Sequence, residues 1–264
     1  VDEQGNRVVI YAKDTLIRKV TTDEKGEAVL TDLPLGTYLV KETKAPTGFV
    51  LNSESKEITF LYKDQDTPVV EETVEFSNKR QKVDLKVVKE DAENGKKLEG
   101  AEFGIYNKND ILSGDKVIVK ADTLLQKVKS DKNGLAQITL DLPLGKYYVK
   151  EVATDQHYLL SEETYPVDFT YQGQDTAVVH ISANEGNAIE NELIRGKISG
   201  RKVDTDGEAL EGATIGLFSA GAEEFTEETA LMVTTSDEDG AFAFEDVPLA
   251  DGSSGRLQAR KDMC

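Results

Sequence analysis

The chain has 264 residues, enough for two or three ordinary domains. Its 31 Lys and Arg stand against 50 Asp and Glu, and the resulting charge of −19 would repel phosphate backbones and anionic lipid, which argues against nucleic acid or a membrane surface as a partner. The single cysteine, Cys264, has no partner for a disulfide framework and cannot make a thiolate metal cluster.

No apolar run approaches the roughly 20 residues of a spanning helix, and the opening VDEQGNRVV lacks the regions of a signal peptide. Any export or anchoring signal is therefore expected outside these residues. At 38% hydrophobic, the apolar residues fall in short alternating strings, a folded pattern and not the uniform polarity of a disordered chain.

Self-comparison organises everything else, because a long period turns motifs into repeat positions before they can be sites. In the first copy, KVTTDEKGEAVLTDLPLGTYLVKET around Gly26 is followed by ITFLYKDQDTPVVEETVEFSN, residues 58–78. Both stretches return in the second copy, as KVKSDKNGLAQITLDLPLGKYYVKEV around Gly134 and as VDFTYQGQDTAVVHISANEGNAIEN, residues 167–191, with four residues added before Asn191. The second copy opens with VVKEDAENGKKLEGAEFGIYN, residues 87–107, and that opening returns as GRKVDTDGEALEGATIGLFSA, residues 200–220. Three units follow: residues 1–81 without a first strand, residues 82–196 complete, and residues 197–249 as the start of a third. Residues 250–264 leave the pattern, since a G-x-Y-x-V-x-E strand should follow Leu249, and they are read as a non-matching tail.

Within a unit the period is two. Val83, Leu85 and Val87 alternate with polar neighbours, as do Val167, Phe169 and Tyr171, the pattern of half-buried strands. DEKG (23–26), AENG (92–95), DKNG (131–134), DTDG (204–207) and DEDG (237–240) supply hairpin turns. No helical stripe appears. An all-β chain of tandem Ig-like sandwiches in a linear array is predicted.

Other chemistry finds little support. The acidic turns at Asp204, Asp206, Asp237 and Asp239 lack the D-x-D-x-D-G-x5-E spacing of a calcium loop. His157 and His180 have no ligand-spaced partners in sequence. LPLGT at 33–37 differs from a sortase LPxTG signal in placing Gly before Thr, and it recurs as LPLGK at 142–146, which makes it a turn into a strand. No hydrolase, P-loop or Rossmann fingerprint is present, so no turnover enzyme, cofactor or metal is expected.

The segments VDLKVVKEDAENGKKLEGAEFGIY, DLPLGKYYVKE and AIEN, in that order, resemble the first, central and last strands of the Cna B-type (SpaA-like, prealbumin-like) domains of Gram-positive surface adhesins and pilins. The second copy matches along its length, the first along its last two-thirds and the third along its first half. The resemblance implies an intramolecular isopeptide bond between a first-strand Lys and a last-strand Asn or Asp, assisted by a central-strand Glu. Carried over, the acceptor is Asn191 and the helper Glu151, with Lys86 favoured as nucleophile and Lys89 as the alternative; strand alternation puts these two lysines on opposite faces. Glu42 and Asn78 hold the equivalent positions in the first copy, whose lysine strand would lie before Val1, and in the third copy Ser199 aligns with Lys86 and Lys202 with Lys89.

Burial would free a lysine amine for attack, and a carboxylic acid at Glu151 would polarise the Asn191 carbonyl and relay protons as ammonia leaves. The resemblance further implies an extracellular, cell-wall stalk whose partners are neighbouring repeats of the same polypeptide and, through other domains, host extracellular matrix. A repeat that itself binds a matrix protein or glycan is the competing expectation.

Overall fold

The computed structural model describes Gln4 and residues 10–219, 221–248 and 258–260. Nearly all regular structure is strand, and the chain divides into two compact units, Val1–Lys44 with Asn52–Ser77, and Ala45–Leu51 with Asn78–Cys264. In the first unit β1 (Gly36–Lys41) pairs antiparallel with β2 (Ser55–Phe60). No described residue of this unit is fully buried, and Val29 and Leu39 are 79% and 67% exposed. The LPLG-x-Y motif has a local cause here: β1 starts at Gly36, and the Tyr38 hydroxyl donates to the Pro34 carbonyl at 2.6 Å.

The second unit holds the complete sandwich. Its strands are β3 (Lys82–Asp91), β4 (Glu102–Asn107), β5 (Ile111–Ser113), β6 (Lys116–Val119), β7 (Leu124–Lys129), β8 (Leu135–Leu140), β9 (Gly145–Ala153), β10 (Thr164–Phe169), β11 (Val178–Ser182) and β12 (Ile189–Asn191). One sheet runs β10-β9-β4-β7, all antiparallel. In the other, β8 lies antiparallel along one edge of β3, while β11 and β12 follow one another, both parallel, along its other edge. The four residues added before Asn191 in this copy fall where β11 gives way to a short turn at Ala183–Gly186, with Asn184 and Glu185 in the left-handed region at φ 52° and 55°. The chain thereby steps from β11 to β12 and keeps the same edge of β3.

The two sheets bury Val83, Leu85, Val87, Phe103, Ile105, Val149, Val167 and Phe169 between them. The odd-numbered residues of β3 all point inward, from Val83 to Asp91. So do Tyr147, Val149 and Glu151 of β9, whereas Tyr148 turns outward. As in the first copy, the Tyr147 hydroxyl donates to the carbonyl of Pro143, 2.6 Å away.

Segment Ala45–Leu51 packs with this unit: Val50 N donates to Lys79 O, Leu51 N to Gln174 O and Gln81 N to Gly48 O, at 2.8–2.9 Å. The start of the third copy follows as β13 (Arg195–Arg201), β14 (Thr214–Phe218), β15 (Met232–Thr235) and β16 (Ala241–Pro248), with Ile215, Leu217, Phe244 and Val247 as a small core. Of the tail at 250–264, only Gln258–Arg260 is described; it forms β17, antiparallel to β14, and the rest lies outside the described residues.

The repeat is visible in hydrogen bonds as well as in sequence. Ser130 Oγ donates to Leu98 O and accepts from Ala101 N, and Ser236 Oγ makes the same pair of bonds with Leu210 and Ala213. Gly134 and Gly240 sit at φ 68° and 72°, where a Cβ would come within 2.3 Å of the carbonyl oxygens of Lys89 and Lys202. Only glycine fits there, and through it the DKNG and DEDG turns clamp the backbone of these two aligned lysines, each of which also donates its N–H to the glycine carbonyl at 2.7 Å.

Candidate functional site

Lysine, glutamate and asparagine meet in the core of the second copy. Lys89 and Glu151 are 0% exposed and Asn191 is 3% exposed. Each arrives there by strand parity. Lys89 continues the inward string of β3, Glu151 continues Tyr147 and Val149 on β9, and Asn191 stands two residues beyond the buried Ile189 on β12.

This geometry corrects the favoured lysine. Lys86 is exposed, opposite Gln137 on one neighbouring strand and Ser182 on the other, because it is three residues from Lys89 and so on the other face of β3. The alternative, Lys89, is the lysine brought to Glu151 and Asn191.

Lys89 Nζ donates to the Ile189 carbonyl at 2.9 Å and stands 3.8 Å from Glu151 Oε1. Burial pushes its amine down to about 8, against the opposing pull of the Glu151 and Glu190 carboxylates. Glu151 is anchored by the Ser161 backbone N–H, 3.0 Å from Oε2. Asn191 Nδ2 donates to Glu151 Oε2 at 2.9 Å, to Oε1 at 3.1 Å and to Thr154 Oγ1 at 2.9 Å. Its carbonyl oxygen, Oδ1, is buried without a hydrogen-bond partner. Such a group is rare in a folded core and marks a place where chemistry or strain is kept. Phe103 lies directly across the β4–β9 ladder from Glu151 and is 0% exposed, a dry wall beside the carboxylate.

The cluster can do acyl chemistry. A partly deprotonated amine, a carboxyl group and a carboxamide share one water-poor volume, where a low dielectric strengthens every polar contact. Sequence reasoning missed Thr154, whose hydroxyl reaches Asn191 from just past the end of β9; nothing in the strand pattern singles it out.

The other positions fall as follows. Glu42 Oε2 accepts the Asn52 N–H at 2.7 Å, the same relation that Glu151 has to Ser161. Asn78 Nδ2 donates to Val50 O at 2.9 Å. Lys202 is half-buried and donates to Val203 O at 3.3 Å, while Ser199 lies on β13. Each histidine does meet one carboxylate, which sequence spacing did not reveal: His157 Nδ1 is 2.5 Å from Asp155 and His180 Nδ1 is 2.8 Å from Asp84. Asp84 is further held by Gln137 and Thr139. Among the described residues no group of three His, Cys, Asp or Glu side chains is arranged to hold a metal, and no helix is long and apolar enough to cross a membrane.

The sequence profile of the SpaA prealbumin-like fold domain matches residues 2–75 and 83–185. The chain belongs to this family. The chain is all-β, and its second copy is a complete prealbumin-like sandwich. A collagen adhesin of Staphylococcus aureus is 27% identical over 251 residues, covering 88% of this chain and 19% of the adhesin. The trypsin-resistant surface T6 protein of Streptococcus pyogenes serotype M6 is 50% identical over 51 residues, 19% of this chain and 10% of that protein. Among solved structures, the Bacillus anthracis TIE protein matches with a TM-score of 0.60 at 26% identity, covering 90% of this chain and 41% of that one. The matched stretches thus cover less than half the length of each of these relatives.

Proposed function

We propose that this chain forms load-bearing stalk repeats of a Gram-positive cell-surface adhesin or pilin, and that its middle repeat closes an amide between Lys89 and Asn191 with the help of Glu151. The observation that carries this reading is the joint burial of those three side chains in the core of a sandwich whose first and last strands they would tie together. Relatives that are surface proteins of Gram-positive bacteria support an extracellular, wall-attached setting.

The chemistry follows from the positions. With its amine near 8, about a tenth of Lys89 side chains are neutral at pH 7, against fewer than about one in a thousand at the ordinary value. The neutral Nζ attacks Asn191 Cγ, the Cγ–Nδ2 bond breaks, and the proton shed by Nζ passes by way of Glu151 to Nδ2, which departs as ammonia. The event occurs once per molecule. It is a maturation step, and the reading assigns no turnover enzyme, no cofactor and no metal to the chain.

Its mechanical meaning lies in topology. Lys89 is near the end of β3 and Asn191 closes β12, so tension entering and leaving the repeat would run through the amide and bypass everything between. Neighbouring repeats of the same polypeptide are the immediate partners, and host matrix is engaged through other domains. Pulling the ends of the chain in a single-molecule experiment is expected to release no length from residues 90–190. A step of roughly 300 Å, the span of about 100 extended residues, would contradict the reading.

One observation favours the second reading, a repeat that itself contacts a matrix protein or glycan. Tyr106 and Tyr148 stack at 5.1 Å between ring centroids on the outer face of β4 and β9, with Lys108 Nζ 5.4 Å from the Tyr148 centroid. Pull-down of matrix proteins that is lost on Tyr148→Ala would support it.

A further inference from the structure

We propose that Thr154 is a further catalytic residue for amide formation, one that holds the leaving nitrogen of Asn191; this rests on the Lys89–Asn191 reading above. Asn191 Nδ2 carries two hydrogens, and two different groups take them: the Glu151 carboxyl, at 2.9 and 3.1 Å, and Thr154 Oγ1, at 2.9 Å. One acceptor would leave the carboxamide free to turn about its Cβ–Cγ bond. Two acceptors on separate residues fix its plane, and with it the direction from which Cγ is open to an amine.

The same hold explains the buried, unpartnered Oδ1. Turning the carboxamide over would give that oxygen the Thr154 hydroxyl as a donor, but would withdraw an N–H from Glu151. The observed orientation sacrifices the oxygen and keeps the nitrogen, the atom that must leave, between the two groups able to manage its protons.

A hydroxyl suits this place because it both accepts and donates. Before attack it accepts from the planar amide N–H. Once Cγ is tetrahedral, Nδ2 has become an amine with a lone pair, and the Thr154 O–H can rotate to donate to it without giving up its proton. The balance is unchanged: the proton that completes ammonia still comes from Lys89 by way of Glu151, and Thr154 ends as it began. Asn191 also lines an open cleft of about 420 Å³ with Glu190, Ser161, Tyr165 and Asn184, which supplies a way out for the released ammonia.

The repeat pattern does not dictate this hydroxyl. The first copy has Ala45, with no side-chain hydroxyl, at the aligned position.

The test uses the full chain recovered from inclusion bodies in denaturant and shown to start at its full sequence mass, then diluted into native buffer and sampled over time by intact mass for the loss of about 17 Da that amide formation requires. Thr154→Ala and the near-isosteric Thr154→Val are expected to slow the loss roughly tenfold or more, and Thr154→Ser to stay within about threefold of the wild type, with all three regaining wild-type circular dichroism. The pH midpoint of the rate should be the same in wild type and Thr154→Val, since Lys89 stays buried. Equal rates in wild type and Thr154→Val would overturn the role of Thr154 while leaving the bond standing, as would a slowing that comes with a shifted midpoint. A wild type that stands at its full sequence mass both before and after refolding would overturn the bond itself and this inference with it.

Discussion

Replacing Lys89 with methionine is expected to abolish the mass deficit of the folded chain and to destabilise the second repeat by roughly 4–5 kcal/mol, while Lys86→Ala changes neither the deficit nor, beyond about 0.5 kcal/mol, the stability. The magnitude comes from the unfolded state. An amide between positions 89 and 191 closes a loop of about 100 residues, and by the chain-entropy account used for disulfides such a closure removes roughly 4–5 kcal/mol of unfolded-state freedom. Methionine keeps the volume of the buried lysine stem opposite Ile189, so the comparison isolates the amine and its hydrogen bond. Lys86 is exposed on the outer face of the same strand, where truncation removes nothing buried. Intact mass and urea unfolding of the two variants check both halves. A deficit that survives Lys89→Met but disappears in Lys86→Ala would reverse the assignment.

Phe103→Ala should be nearly as damaging, for a different reason. Phe103 is wholly buried in the main core and sits across the ladder from Glu151. Truncating a buried phenylalanine costs about 3–5 kcal/mol through lost burial and the cavity left behind. The cavity also opens beside the carboxylate. Burial is the largest cause of the lowered Lys89 amine, so water entering there returns it toward its ordinary value of 10.5.

The sign is definite. In the unbonded chain a lowered lysine means that the folded state holds fewer protons than the unfolded state between about 8 and 10.5, so stability rises with pH across that window and the penalty is fully present below it. Bond formation in refolding wild type should accelerate with pH up to about 8 and then level off. In Phe103→Ala the rise should continue toward pH 10, and the rate at pH 7 should fall by roughly tenfold to a hundredfold. Refolding rates by intact mass between pH 6 and pH 10 give this directly, and an unchanged midpoint would show that Phe103 packs without tuning the amine.

Much of this was legible in the residues. The three copies, the turns and the period of two are properties of the string, and so is the LPLG-x-Y start of a strand. The position of Lys89 was legible too: Val83, Leu85, Val87 and Lys89 share one parity, and so do Tyr147, Val149 and Glu151. Favouring Lys86 set that parity aside.

What was hidden depends on contacts between strands far apart in sequence. Thr154 reaches Asn191 across 37 positions, and His180 reaches Asp84 across 96. Neither pair leaves a periodic trace. The step from β11 to β12 was visible only as four added residues, whose left-handed pair at Asn184 and Glu185 no turn signature announces. Burial in the first copy was equally hidden, because alternation along β1 and β2 states which residues share a face and not whether a second sheet covers them.

The central claim is the amide itself, and its most direct test is the intact mass of the folded chain beside that of Glu151→Ala. Wild type should be about 17 Da lighter than its sequence requires, from the ammonia lost, with a crosslinked peptide containing Lys89 and Asn191 after proteolysis, and Glu151→Ala should have its full sequence mass. A wild type at full mass, or a deficit that maps to another pair of residues, would contradict the account.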